Sequence, residues 1–579
     1  MGLRTGARSA SWIVSLALAG CAALAPTPRP TPAAPSGEPA PLDASDTKTT
    51  RTFLDLAAIR EDAGDWDGAL ARVDKALAYQ PRSRSALLRR AQILLLGASE
   101  REDLEEPREI LERVGEPQDG ELIVARAWLA SAEGEREAAV AGAHDALAGG
   151  ADSARVQWLA ARLLTAQGEA AAANDAADRA LALDPGSGAA RRERARARLR
   201  RADVTEAILD LGDHFRRHGD DAEARALEGE LFHRIGDSAS ARHAYERIPA
   251  ARRDASATAA LAQLQIQAGD LAAARALLEP AVGTQPTDVH LLEAMWLLDG
   301  REGRADSLAR IDAACAARPE DAALARLRAR ALAAQRSDEA GAAFARAIAL
   351  DPNDTSAYQL LAAWLATAGD AERRVLALGL DPAPAQVALG FLHTERGDHT
   401  GAIAAHQKAV ETDAGLPIAR AALARSLTAA ERDPERALTL AREASAARPS
   451  DPDFAWTLGL AHAQRGQYKA SYEALRLAIG SYPIERRGYP ELVWNTAQVL
   501  DRYGDRVGAS RAAKVALALA SQAKVEPSWR RHAQALAEGE RPKVAATAAT
   551  ETPKPAPTTE SAPSSEPATK SETVPATEP

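Results

Sequence analysis

Cysteine, methionine and phenylalanine are scarce in this 579-residue sequence, which holds two, two and six of them, and only 4% of it is aromatic. Two cysteines, Cys21 and Cys315, cannot build a disulfide framework, and neither sits in metal-ligand spacing. Excess positive charge is missing as well. The net charge of -10 gives no electrostatic footprint for nucleic acid. No HExxH, CxxC, phosphate loop, EF-hand loop or dinucleotide fingerprint occurs, so the chain reads as a non-enzyme with no cofactor. What the sequence does have is alanine, arginine, leucine and acidic residues. That mixture, poor in β-branched residues, favours helix nearly throughout.

The amino-terminal fifty residues read as an address and a tether. Arg4 and Arg8 precede an apolar run from Trp12 to Ala19, which is too short to span a bilayer and ends in Leu18-Ala19-Gly20-Cys21. That ending resembles the lipobox of bacterial lipoproteins. The resemblance implies a signal peptide over 1–20, cleavage before Cys21 and lipid on its sulfur. Removing Arg4 and Arg8 would take the charge to -12. Ala22, not Asp, follows the cysteine, which in enterobacterial lipoproteins favours the outer membrane. Residues 21–49 are Pro-rich and read as a semi-extended spacer. Residues 541–579 carry Pro, Thr, Ser, Glu and Lys with no aromatic, so a disordered tail is expected there.

Between these ends runs an internal period. Turn glycines fall at Gly64, Gly134, Gly168, Gly236, Gly269, Gly303, Gly369, Gly397, Gly466 and Gly504, mostly at one or two multiples of about 34. Many precede an aspartate, as in Gly64-Asp65, Gly236-Asp237 and Gly269-Asp270. Seven residues before the turns come small ones such as Ala57, Ala161, Gly229, Ala262, Gly390 and Gly459. Five residues after come Ala69, Ala173, Ala241, Ala274, Ala402 and Ser471. Small residues at these offsets let two antiparallel helices approach closely, the glycine frees the turn, and Pro81, Pro185, Pro286 and Pro483 close units.

The pattern resembles the tetratricopeptide repeat, a helix-turn-helix of 34 residues. It implies an all-α solenoid of about fourteen units over residues 50–525, with a capping helix in 526–540. Degenerate units are marked by Ala195 with Ala202-Asp203, by Ala340 with Phe344, and by Ala437 with Ala444. The interval of only 28 residues between Gly369 and Gly397 predicts a shortened second helix.

The resemblance also implies that residues ten and six before the turn line a concave groove. Trp158, Trp456 and Trp494 occupy the first offset, and Trp128 and Phe391 the second, so these five are the candidate partner-binding residues. Trp66 and Tyr468 sit at the aromatic turn position and read as structural. So does Cys315, at a helix-packing offset. The run Arg191, Arg192, Arg194, Arg196, Arg198, Arg200 and Arg201 reads as a solvated helix face, with an acidic partner or lipid headgroups as the alternative. His214 and His218, four apart, read as a solvated face more readily than as a metal site.

The function this implies is binding. The expected protein is a lipid-anchored scaffold of the bacterial cell envelope, at the outer membrane facing the periplasm, that holds proteins of a secretion, pilus or polysaccharide-export assembly. It touches the membrane through Cys21 and takes neither nucleic acid nor metal. The alternative is a polysaccharide- or peptidoglycan-binding protein that stacks sugar rings on the groove tryptophans.

Overall fold

The structure is a computed structural model that describes residues 42–539, apart from 44, 98–100, 116–118, 305, 483–487 and 523–525. Cys21, the signal segment, most of the tether and the carboxy-terminal tail lie outside the described residues.

Helices follow one another in pairs. The first are α1 (Lys48–Asp62) with α2 (Trp66–Tyr79), α3 (Arg84–Gly97) with α4 (Glu105–Val114), and α5 (Gly120–Ala132) with α6 (Arg136–Gly149). Next come α7 (Ala154–Ala166) with α8 (Ala170–Leu183), α9 (Gly188–Arg200) with α10 (Val204–His218), and α11 (Ala222–Arg234) with α12 (Ser238–Glu246). The middle holds α13 (Ala255–Ala268) with α14 (Leu271–Thr284), α15 (Val289–Glu302) with α16 (Asp306–Ala317), and α17 (Ala322–Ala334) with α18 (Ala340–Leu350). There follow α19 (Thr355–Leu365) with α20 (Ala371–Leu376), and α21 (Pro382–Glu395) with α22 (His399–Thr412). The last are α23 (Pro417–Ala429) with α24 (Pro434–Ala447), α25 (Pro452–Gln464) with α26 (Tyr468–Ser481), and α27 (Tyr489–Tyr503) with α28 (Arg506–Gln522). These are fourteen pairs among the described residues, and α29 (Arg530–Ala537) packs on the last of them. The chain is an all-α solenoid of tetratricopeptide type.

Two local devices build each pair. Nine of the ten turn glycines adopt positive φ, from +64° at Gly64 to +99° at Gly504, where a side chain would be strained. The following aspartate caps the second helix: Asp65 accepts from the Gly68 amide, Asp237 from Ser240, and Asp270 from Ala273. Gly369 is the exception. It has no positive φ, Asp370 makes no side-chain cap, and α20 runs for only six residues. The short interval in sequence is thus a truncated helix. At the degenerate turns, Ala202, Arg336 and Glu431 take the positive-φ position themselves.

Alanine supplies the contact between paired helices. Ala57, Ala161, Ala262 and Ala497 before the turns, and Ala69, Ala173, Ala274 and Ala509 after them, are fully buried. The core is accordingly a string of local clusters, each shared by neighbouring units.

Units far apart in sequence also meet. The α1–α2 turn docks on α9 and α11. There the fully buried Arg192 donates to the carbonyls of Asp62 (2.6 Å) and Glu61 (2.6 Å) and to Asp221 (2.7 Å). Asp62 in turn accepts from Ser187 Oγ (3.1 Å) and the Ala189 amide (2.9 Å). A second seam joins α9 and α11 to α26. Arg200 donates to the Gly480 carbonyl (3.0 Å), Arg234 to those of Ile479 (2.7 Å) and Tyr482 (3.0 Å), and Arg476 to that of Arg201 (2.8 Å). The coil therefore closes on itself twice.

This closure overturns the solvated reading of the arginine run. Arg191 and Arg192 are buried, and Arg194, Arg196, Arg198 and Arg200 are partly covered, each paired with a carboxylate. Asp210 alone receives Arg194 (2.6 Å) and Arg198 (2.7 Å). His214 is likewise fully buried, with Nε2 3.0 Å from Asp221, because α10 packs beneath the same seam.

Candidate functional site

The concave side of α7, α9, α11, α13 and α15 encloses a cavity of about 660 Å³. The α1–α2 turn and the short 3-10 turn Ala250–Arg252 form its rim, joined by an ion pair of Arg252 with Asp65 at 3.2 Å. Two offsets in the repeat supply its walls. Six residues before the turn lie Arg162, Arg196, Glu230 and Gln263, and ten before lie Ala226, Ala259 and Glu293. Each first helix presents these positions on one face, separated by about one helical turn.

The expected groove offsets are therefore the lining offsets, but the side chains doing the lining are mostly polar. The five aromatics lie elsewhere. Trp158, Phe391, Trp456 and Trp494 are buried, and Trp128 is half-buried, so the expectation of exposed groove rings is corrected. Trp158 is covered because the α1–α2 turn brings Trp66 to 6.3 Å, with the Arg155 guanidinium 5.4 Å from its ring. Trp456 lies under Arg425 at 4.2 Å and meets the edge of Tyr482 at 5.7 Å. Trp494 stacks on Trp529, just before α29, at 5.6 Å. Phe391 stacks on Tyr358 at 5.9 Å, and Trp128 donates Nε1 to the Leu159 carbonyl at 3.3 Å. Arg162, Glu230, Gln263 and Glu293 carry no signal in the sequence that separates them from ordinary helix-surface residues, and Arg196 is marked there only as part of the arginine run.

Charges along the lumen are arranged as an alternating ladder. Glu61 pairs with Arg89 (2.8 Å) and Arg155. Arg162 bridges Glu193 (3.2 Å) and Glu223 (2.7 Å), and Arg196 reaches the same two carboxylates. Glu230 takes Arg200 (2.6 Å) and Arg234 (2.7 Å). Burial pushes the Glu61 carboxyl up, but Arg155 and Arg89 outweigh it and hold the group below the usual carboxylate range. The same contest ends with Glu230 at about 2, where Arg200 and Arg234 prevail over burial. His233, buried beside Arg234 on the cavity wall, is pushed down to about 4 by burial first and that charge second. It is neutral at pH 7.

The site offers charge pairs, amide and imidazole groups and one indole. Among the described residues no group of three or more His, Cys, Asp or Glu side chains is placed to hold a metal ion. No helix among them is long and apolar enough to cross a membrane. Cys315 is half-buried against the α13–α17 core, and burial raises its thiol pKa.

Residues 54–105 and 420–483 match the tetratricopeptide repeat family. No curated protein matches the chain. Among solved structures it is similar to the APC/C hetero-tetramer Cut9-Hcn1, at 13% identity over 84% of this chain and 96% of that one, with a TM-score of 0.34. It is also similar to Naa15/Naa10 bound to HypK-THB, at 16% identity over 80% and 68%, with a TM-score of 0.23. A third likeness is to a tetratricopeptide repeat protein from Parabacteroides merdae, at 16% identity over 55% and 100%, with a TM-score of 0.31.

Proposed function

We propose that the protein is an interaction scaffold whose lumen receives part of a protein partner. The observation that carries this reading is the convergence of the six-before and ten-before side chains of several successive units on one cavity. A helical-repeat stack offers such a concave surface to extended segments or docked domains. The glycan alternative needed open tryptophan faces for stacking, and of its four rings Trp158, Trp456 and Trp494 are covered by Trp66, by Arg425 with Tyr482, and by Trp529, while Trp128 is half-buried.

The cellular setting rests on the amino-terminal sequence. Leu18-Ala19-Gly20-Cys21 after a basic start and a short apolar run supports lipid attachment at Cys21. Several acyl chains on one residue hold a protein firmly, at about 0.8 kcal/mol for each buried CH₂. We place the scaffold on the outer membrane facing the periplasm, within a secretion, pilus or polysaccharide-export assembly.

The test is site-specific photocrosslinking in cells from His290 and Asp67, exposed positions on the cavity wall, against Leu209, exposed on α10. The expected result is one recurring set of protein adducts from the two lumen positions, absent at Leu209 and lost in Cys21→Ser. Adducts from Leu209 alone would refute the lumen as the receiving surface.

A further inference from the structure

The cavity wall carries six carboxylates, Asp65, Asp67, Glu223, Glu230, Asp254 and Glu293, against four guanidiniums. Four of the acidic groups are paired: Asp65 with Arg60 and Arg252, Glu223 with Arg162, Arg192 and Arg196, Glu230 with Arg200 and Arg234, and Glu293 with Arg330, which leaves Asp67 and Asp254 without a guanidinium among the described residues. The wall's own guanidiniums are committed. Arg162 and Arg196 both serve Glu193 and Glu223, Arg234 serves Glu230 and two main-chain carbonyls, and Arg252 serves Asp65. Glu193 is buried, so withdrawing either arginine toward an anionic guest would leave that carboxylate uncompensated in a low-dielectric place.

Some acceptors, by contrast, are open. Gln263 lines the cavity, is only 8% exposed, and its Oε1 has no hydrogen-bond partner. A buried amide oxygen left unpaired carries an uncompensated desolvation cost, so a donor brought to it is favoured. One unit along the stack, Glu293 is paired only with Arg330 through Oε1. Its Oε2 has no partner among the described residues. The neutral imidazole of His233 completes the wall between these acceptors and the Arg234–Glu230 pair.

We propose that the lumen selects an extended partner segment bearing lysine or arginine, whose cationic head is received by Glu293 and whose N–H groups satisfy Gln263 Oε1. This rests on the scaffold reading and specifies the partner's chemistry. A half-open cavity of about 660 Å³ lies within the roughly 300–1,000 Å³ typical of ligand sites, enough to hold a few residues of a partner segment. The entering ammonium or guanidinium meets a carboxylate that is only partly exposed, where the attraction is screened less than on open surface.

The test is calorimetric titration of the chain purified without residues 1–20 with two capped peptides, acetyl-AKAKAKA-amide and acetyl-AEAEAEA-amide. The lysine peptide is expected to bind and to weaken as salt rises, while the glutamate peptide does not bind. Glu293→Gln and Gln263→Leu should each weaken lysine-peptide binding at least fivefold. Glu137→Gln, an exposed change on α6, should leave it unchanged. Arg330→Gln, which frees Glu293, should tighten it, an outcome that misfolding cannot imitate. No binding of the lysine peptide, equal binding of the glutamate peptide, or equal losses at Glu137 and Glu293 would each overturn the proposal. If lumen crosslinks nevertheless capture a partner, the scaffold reading survives and only the cationic preference falls.

Discussion

Gly229 on α11 has no β-carbon because the ring of Tyr245 on α12 occupies its place: a carbon built there would lie 2.6 Å from Tyr245 Cζ. The same relation recurs where Gly390 faces the ring of His406 still more closely, and where Gly459 faces Leu475 at 2.6 Å. In each pair the larger residue lies sixteen positions after the glycine. Where that first position is Ala127, Ala161 or Ala497, the facing position holds only Ala143, Ala177 or Ala513. Glycine therefore stands where the facing residue is too large for a β-carbon opposite it, whereas alanine faces alanine in these three units and valine or leucine elsewhere, as Ala57 faces Val73 and Ala262 faces Leu278.

Gly229→Ala should therefore destabilise α11 and α12, at about 1–3 kcal/mol for overpacking less about 1 kcal/mol of helix propensity gained. In a Tyr245→Ala background the same change should turn stabilising by about 0.5–1 kcal/mol. Native-state hydrogen exchange of the two helices reads both signs. An unchanged sign would mean that Tyr245 does not set the constraint.

Arg336 and Glu431 hold positive φ, +55° and +52°, at turns where most units use glycine. A side chain there costs about 1–2 kcal/mol, partly offset by the greater unfolded-state freedom of glycine. Arg336→Gly and Glu431→Gly should each stabilise their unit by up to about 1 kcal/mol, measured as raised exchange protection. A loss of protection would contradict the turn assignment.

Acid sensitivity should begin above the carboxylate range. Burial pushes His406 and His233 down to about 4, against about 6.5 in the unfolded chain. Between those values the unfolded state binds protons that the folded state refuses, so stability falls as pH drops from 6.5 toward 4. Asp451 acts the other way: burial first and Asp453 second raise it to about 6, so it takes up a proton earlier when folded. Two groups outnumber one. The thermal midpoint should fall between pH 6.5 and 4.5, and His406→Gln should flatten that slope by measurable degrees.

The second seam is a backbone contact and should fail abruptly. A β-carbon on Gly480 would collide with the Arg200 carbonyl, an atom that no rotamer change can move. Gly480→Ala should part α26 from α9, raise the radius of gyration in solution scattering and expose the amides near Arg200. Gly283→Ala on α14, with nothing within 4 Å of its added carbon, serves as the silent control.

The repeat was legible because its signals are local. Gly64 with Asp65, or Gly269 with Asp270, specifies a turn and a cap within four residues, whatever the rest of the chain does. The offsets ten and six before the turn came from the resemblance to the tetratricopeptide repeat and not from any local signal. Which side chains remain open to the lumen was not legible, since the cover over Trp158 comes from Trp66, about ninety positions earlier, through a docked turn. Arg192 read as solvated for want of Asp62, 130 positions away. Only closure of the coil decides such contacts, and no spacing within a unit encodes it.

The two seams bear on how this chain could have grown and how it can still change. An open solenoid lengthens by tandem duplication, because each unit answers only to its neighbours. Here the count of units between α1 and α9, and between α9 and α26, sets whether Asp62 meets Arg192 and whether Gly480 meets Arg200. Inserting or deleting one unit inside either interval would carry both partners out of register by a whole step. Gln522 on α28 also donates to the Gly236 carbonyl (2.6 Å), so the count is held through α28, and gain or loss of units is tolerated only beyond it or ahead of α1.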